Sequence, residues 1–355
     1  MRVVIIGAGI IGASIAYHLA RRNADVTVIE RDQPASVATA KSFAWINASY
    51  DNPKPYYKLR FQSMLEYPRL QRELDGALKI NWGGSLLWED ETEHITQFVN
   101  EHRRWGYSVR LIDRKEFQAL EPHVVDPPAQ AAYAELEGSV DPVHATKVLL
   151  SAAENIGVRT FCESPVTGFD VKSNHIRGVL TRQGHFEADY VVLAAGVDTP
   201  TLASELGVDI PLVDSPGLLI HTKPVRPIIN RLVLSPGVHM KQQSDGRIVA
   251  GEDFGGGDVD IDPNELARRI LKRITERLLG LENIELDRIS VGWRPLPKDH
   301  MPIIGFASSV KNLYVSVMHS GVTLAPIVGR LAANEILDGE TVDLLEPYRP
   351  ERFEK

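Results

Sequence analysis

Four groups of residues in this 355-residue chain have types and spacings that could do chemistry. The first is Gly7-Ala8-Gly9-Ile10-Ile11-Gly12, a G-x-G-x-x-G run that directly follows Val3-Val4-Ile5-Ile6. Glu30, with Arg31 beside it, closes the next apolar run, Val26-Thr27-Val28-Ile29. Gly7 permits a tight turn, Gly9 lets the backbone approach a pyrophosphate, and Gly12 lets a helix lie close on a strand. The helix N-terminus offers unpaired N–H groups to phosphates, and Glu30 is placed to accept hydrogen bonds from a ribose diol. This pattern predicts a bound dinucleotide and leaves FAD and NAD both open. The second group is Arg294, whose guanidinium can hold a carboxylate through two parallel charge-assisted hydrogen bonds, or else pair with Asp299. The third is His239, able to donate a hydrogen bond and to titrate near neutrality, with Lys241 on the same strand face. The fourth is His319-Ser320-Gly321, which opens the last helix and turns its positive end toward whatever lies there.

These groups need elements to position them. The apolar runs before Gly7 and Glu30 predict buried strands, and the spacing of Ala13, Ile15, Ala16, Leu19 and Ala20 predicts a helix over 13–22. Further helices are expected around 56–74, 91–104, 143–155, 263–279 and 321–337, with Gly339 as the terminator of the last. Strands are expected at 85–88, 109–112, 158–161, 166–171, 176–181 and 313–317. A buried strand, Tyr190-Val191-Val192-Leu193, runs into Ala194-Ala195-Gly196.

Composition narrows the partners. Hydrophobic content of 43% and charged content of 24% are those of a globular protein. A formal charge of −8 gives no reason to expect nucleic acid or an anionic membrane as partner. The single cysteine, Cys162, excludes disulfide frameworks and cysteine-rich metal sites. No apolar run reaches the ~18 residues of a membrane span. A strand beginning at residue 3 leaves no room for a signal peptide, so a cytoplasmic location is the expectation.

Several separated segments together resemble the D-amino acid oxidase superfamily of flavoproteins, which includes glycine oxidase, sarcosine oxidase and D-amino acid dehydrogenase. They are the Gly7–Glu30 unit, Gly138-Ser139-Val140-Asp141-Pro142, and Val191 through Gly196. They continue with Asp245 through Gly251, Gly292-Trp293-Arg294-Pro295-Leu296-Pro297-Lys298-Asp299, Pro302-Ile303-Ile304-Gly305 and His319 through Pro326. The resemblance spans nearly the whole chain in the family's order. It implies an α/β fold in which a Rossmann-like FAD-binding domain (1–75, 138–215 and 291–355) interleaves with a mostly antiparallel β substrate domain (76–137 and 216–290).

It also implies site roles. Arg294 would hold the substrate carboxylate. His239 stands near where glycine-oxidising relatives carry a tyrosine that touches the same group. Gly321 and Val322 would offer backbone N–H groups, and Thr323 its side chain, to the pyrimidine end of the flavin beside His319 and Ser320. Thr39, Lys41 and Ser42 would pass near the flavin ring, and Val166, Ala195 and Gly196 would abut the cofactor. Phe43 and Trp45 could wall the substrate pocket. Met318 stands where many relatives have glycine. No cysteine lies near Gly292–Arg294, so the FAD is expected to be non-covalent. The lysine with which sarcosine oxidases activate oxygen would fall near Val249, where this chain has none, which counts against an oxidase; oxygen or another acceptor would reoxidise the flavin. The expected activity is oxidation of the C–N bond of an amine or amino acid by hydride transfer, giving an imine that hydrolyses. The alternatives are a 2-hydroxy acid or glycerol-phosphate type dehydrogenase using His239 or His319 as base, a flavin subunit of a larger complex, and an NAD-linked dehydrogenase. A homo-oligomer is compatible with each of these.

Overall fold

The computed structural model describes residues 1–49, 52–252 and 262–353. Strand β1 (Arg2–Ile6) leads through the glycine turn into helix α1 (Ile10–Ala20), which returns to strand β2 (Asp25–Ile29). The helix begins three residues earlier than its apolar pattern predicts. The turn ends at Gly9, which is the N-cap in extended conformation (φ −73°, ψ 179°), so the first helical turn starts immediately beside the glycines. That start leaves first-turn N–H groups pointing out of the strand end.

β1 and β2 are parallel neighbours in a six-stranded sheet. Its order is Ile303–Phe306, Leu313–Val317, Tyr190–Leu193, β1, β2, Arg159–Phe161, and only the first pair is antiparallel. Alternation along β1 sends Val3 and Ile5 to one face and Val4 and Ile6 to the other, and both faces are covered. α1, Pro142–Glu154 and the C-terminal helix Gly321–Asp338 pack on the first face. A three-stranded antiparallel sheet, Val166–Lys172, His175–Thr181 and Gly184–Glu187, packs on the second. Each fully buried aliphatic side chain here contributes about 1.5–3 kcal/mol.

An eight-stranded sheet forms the other large body, in the order Leu286–Trp293, Pro216–Thr222, Ile248–Gly251, Val238–Gln242, Leu232–Ser235, Ser85–Leu87, Gln130–Ala134, Val109–Asp113. All its pairings are antiparallel except that of Leu232–Ser235 with Ser85–Leu87. Helix Pro263–Arg277 lays Leu266, Ala267, Ile270 and Ile274 against it. Helix α2 (Lys54–Glu73) buries Tyr56, Leu59, Arg60, Ser63, Met64 and Tyr67 and packs on the C-terminal helix. The last helix ends at Gly339 in the left-handed region (φ 70°), the conformation expected of a glycine terminator. No helix among the described residues is long and apolar enough to cross a membrane.

Candidate active site

One cavity of about 1040 Å³ runs from the glycine turn to the N-terminus of the last helix. At one end Gly7 has φ +106°, and a Cβ there would collide with the Ala194 carbonyl; a Cβ on Gly12 would collide with the Gly7 carbonyl. Gly7, Gly9, Ile10 and Ile11 line the cavity, whereas Gly12 is packed behind it. The Thr39 hydroxyl accepts the Ile10 N–H at 3.2 Å. Glu30 accepts the backbone N–H groups of Ala8 (2.7 Å) and Asp32 (2.9 Å), one on each carboxylate oxygen. It still lines the cavity with acceptor capacity to spare. Arg31 pairs with Asp32 and Asp198 at the rim. Val166, Ala195 and Gly196 complete this end. A backbone cradle that no side chain could enter, at a helix N-terminus and beside an acid with free lone pairs, fits the pyrophosphate and ribose of a dinucleotide.

At the other end lie Arg294, His239, His319, Met318, Phe43 and Trp45, all on the cavity wall. Arg294 does not pair with Asp299, which instead binds Arg352 at 2.7 Å. Its Nη2 donates to the Pro216 carbonyl at 2.6 Å and its Nε to the Ser215 carbonyl at 3.3 Å, anchoring the guanidinium on an adjacent strand. Burial lowers its pKa. The His319 imidazole is held to a pKa of about 3, first by burial and then by the charges of Arg294, Arg60 and His300. It is neutral at any physiological pH. Lys41 lies along Gly292, where a Cβ would strike its side chain, and Ser42 accepts the Ala44 N–H at 3.0 Å.

Three sequence-based expectations change. The Thr323 hydroxyl is committed within the protein: it donates to the Trp45 carbonyl (3.1 Å), accepts the Asn47 N–H (3.3 Å), and is fully buried off the cavity. The Ser320 N–H donates to the Tyr56 hydroxyl at 2.8 Å, which leaves Gly321 and Val322 as the backbone donors of that helix start. Lys241 shares a strand face with His239 but stays off the cavity, because its ammonium donates to the Val140 carbonyl at 3.0 Å behind the Phe43 ring. It is nonetheless the direct cross-strand partner of Val249. Cys162 does not line the cavity.

Sequence reasoning missed a second layer. Tyr56, Arg60, Asn47 and Ser49 line the cavity. The wholly buried Glu137 accepts hydrogen bonds from Trp45 Nε1 (2.7 Å), Tyr107 (2.7 Å), Ser49 and Ser85, tying both bodies together under the pocket wall. Arg60 did leave a signal. It falls on the buried stripe Tyr56, Arg60, Ser63, Tyr67 of α2, where a charge is out of place on an apolar face.

A doubly covered, mainly parallel sheet whose glycine turn opens into one end of a long cavity, with buried cationic and imidazole groups at the other, defines a dinucleotide-dependent oxidoreductase. The family model for FAD dependent oxidoreductases matches residues 2–335, and the chain belongs to that family. Its relatives include the glycine oxidase of Bacillus licheniformis, 26% identical over 99% of this chain and 97% of that protein. Among solved structures, L-proline dehydrogenase from P. horikoshii superposes with a TM-score of 0.90 at 26% identity, covering 99% of this chain and 97% of that one. Iminodiacetate oxidase from Chelativorans sp. BNC1 gives 0.85 at 26% identity, covering 98% and 99%. The protein is thus an FAD-dependent oxidoreductase.

Proposed function

We propose that the protein oxidises the C–N bond of a carboxylate-bearing amine, of the D-amino acid, glycine or N-alkyl amino acid type, using non-covalently held FAD. The observation that carries this reading is Arg294, a half-buried guanidinium anchored by its neighbour's carbonyls on the wall of the cofactor cavity. The relatives act on small amino or imino acids, by their names glycine, L-proline and iminodiacetate, which supports the same chemistry here. We divide the chain into the cofactor and substrate domains given above, since the six-stranded sheet draws all its strands from the cofactor segments and the eight-stranded sheet draws its strands from the substrate segments, except that Leu286–Trp293 runs three residues past the boundary at 290.

Bound FAD supplies the two-electron acceptor: the amine loses a hydride from Cα and a proton from nitrogen, and water hydrolyses the resulting imine. The chain's own residues do the rest. Arg294 fixes the carboxylate and with it the direction of the Cα–H bond. The buried cations disfavour a protonated amine beside them, so the nitrogen lone pair is free when the hydride leaves. Gly321 and Val322 N–H groups, at a helix N-terminus, stabilise negative charge that builds next to them. His239 is a further candidate contact for the carboxylate. Phe43, Trp45 and Met318 exclude water from the pocket.

The 2-hydroxy acid alternative needs a base for the hydroxyl proton, and an imidazole with a pKa of about 3 is a weak one, which counts against His319 in that role. Anaerobic bleaching of the flavin spectrum tests the proposal, using D-amino acids, glycine, N-methyl amino acids, cyclic imino acids and hydroxy acids. Amines should bleach it. A flavin reduced by hydroxy acids alone overturns the reading.

A further inference from the structure

A second guanidinium, that of Arg60, lines the same cavity and is only 6% exposed. Its Nε donates to the Asn47 carbonyl at 3.0 Å, its Nη1 to Asn52 Oδ1 at 3.2 Å, and its Nη2 to Asn47 Oδ1. All three acceptors are neutral, and among the described residues no carboxylate comes within ion-pair distance of it. A guanidinium cannot shed its proton, and buried charges in proteins are ordinarily paired. The fork keeps N–H groups that these three bonds do not use.

Arg60 also sits close to the reacting end. Its guanidinium carbon lies 5.3 Å from the centre of the Tyr56 ring, and the hydroxyl of that ring binds both the Ser320 N–H and the His319 carbonyl. His319 is within Coulombic reach of Arg60 and Arg294 together. The cofactor's own pyrophosphate is accounted for by the glycine turn, so it does not explain this charge.

We propose that the substrate is a dicarboxylic amine: Arg294 holds the carboxylate beside the oxidised C–N bond, and Arg60 receives a second carboxylate at the far end of the same molecule. This rests on the amine-oxidising reading above and deepens it by naming the substrate class.

Two measurements on the flavin-loaded protein test it. In the first, succinate and butyrate, similar in size but unequal in charge, are titrated at constant ionic strength and followed by perturbation of the flavin spectrum. Succinate should bind at least about ten-fold more tightly, the factor that ~1.4 kcal/mol represents. Equal affinities overturn the proposal, and no variant has to fold for this result. In the second, kcat/KM is compared for iminodiacetate and D-aspartate against sarcosine and D-alanine, in the wild type, Arg60→Met and Arg60→Lys. The preference for the dicarboxylates should collapse about ten-fold or more in Arg60→Met and recover in part in Arg60→Lys. A preference that is absent in the wild type, or that survives Arg60→Met, overturns the proposal. Amines that bleach the flavin with no dicarboxylate preference defeat this inference and leave the amine reading standing. Tight succinate binding with no amine bleaching defeats the amine reading, and with it the claim that the dicarboxylate is a substrate.

Discussion

The Tyr56 hydroxyl joins helix α2 to the start of the C-terminal helix, accepting the Ser320 N–H at 2.8 Å and donating to the His319 carbonyl. This one group fixes the turn that carries His319 into the cavity and leaves Gly321 and Val322 as the helix's outward donors. Burial raises the Tyr56 pKa, so it acts as a neutral hydroxyl throughout the working range.

Tyr56→Phe should therefore strand one part-buried donor and one part-buried acceptor while leaving the ring in place. We expect a stability loss of about 1–3 kcal/mol, read from the urea midpoint of the flavin-loaded protein. Flavin reduction should slow as well, because the helix start loses its tether. An unaltered midpoint would show that water replaces the hydroxyl at no cost.

Gly12→Ala places a Cβ into the Gly7 carbonyl, and Gly7→Ala meets both the Ala194 carbonyl and an unfavourable φ of +106°. Either substitution should yield protein with little or no flavin absorbance after purification. Gly76→Ala, where a Cβ meets nothing, is the control: it also lies at positive φ (+76°) but away from the cavity, and should stay yellow.

If Arg294 holds the substrate carboxylate as proposed, Arg294→Met removes paired hydrogen bonds each worth about 1.5–3 kcal/mol when charged. KM for carboxylate-bearing amines should rise about 100-fold or more, with a smaller change in kcat. Amines lacking a carboxylate should lose far less. Equal losses on both substrate types would take Arg294 out of carboxylate binding.

Lys241 is buried, and burial lowers its pKa to about 7. An unfolded lysine titrates near 10.4, so between about pH 7 and 10 the unfolded chain holds a proton that the folded chain lacks. Stability should rise with pH across that window, with a contribution of up to about 1.4 kcal/mol per pH unit from this group. Below pH 7 both states are charged and the cost of burying the cation is present in full. Lys241→Met should be more stable than the wild type at pH 7, and the difference should shrink by pH 9. Urea midpoints at pH 7, 8 and 9 decide the matter, and parallel curves for the two proteins would refute it.

The nucleotide end was legible in the sequence because its chemistry is local. Gly7, Gly9 and Gly12 act through backbone geometry within one turn, and Glu30 closes the strand that must lie beside β1. The helix boundary was misplaced by three residues because apolar periodicity marks where a helix begins to pack, whereas Gly9 sets where it begins to form. The partners of the Thr323 hydroxyl were not legible, because a hydroxyl at a helix start has several possible partners, and those it has, Trp45 and Asn47, are more than 270 residues away in sequence. Arg60 broke the apolar stripe of α2, a mark that pointed to burial without saying against what.

The sequence by itself determined the strand–glycine turn–helix unit, the order of elements and the family, since these depend on residue type at short spacing and on segments in a fixed order. Only the tertiary structure decided what faces the reacting end of the cavity. Arg60, Tyr56 and His319 meet there because α2 packs against the last helix, and Arg294 joins them from the far edge of the eight-stranded sheet. Charge acts over several ångströms in space whatever the separation along the chain, so the cationic character of that end exists only once the elements are assembled.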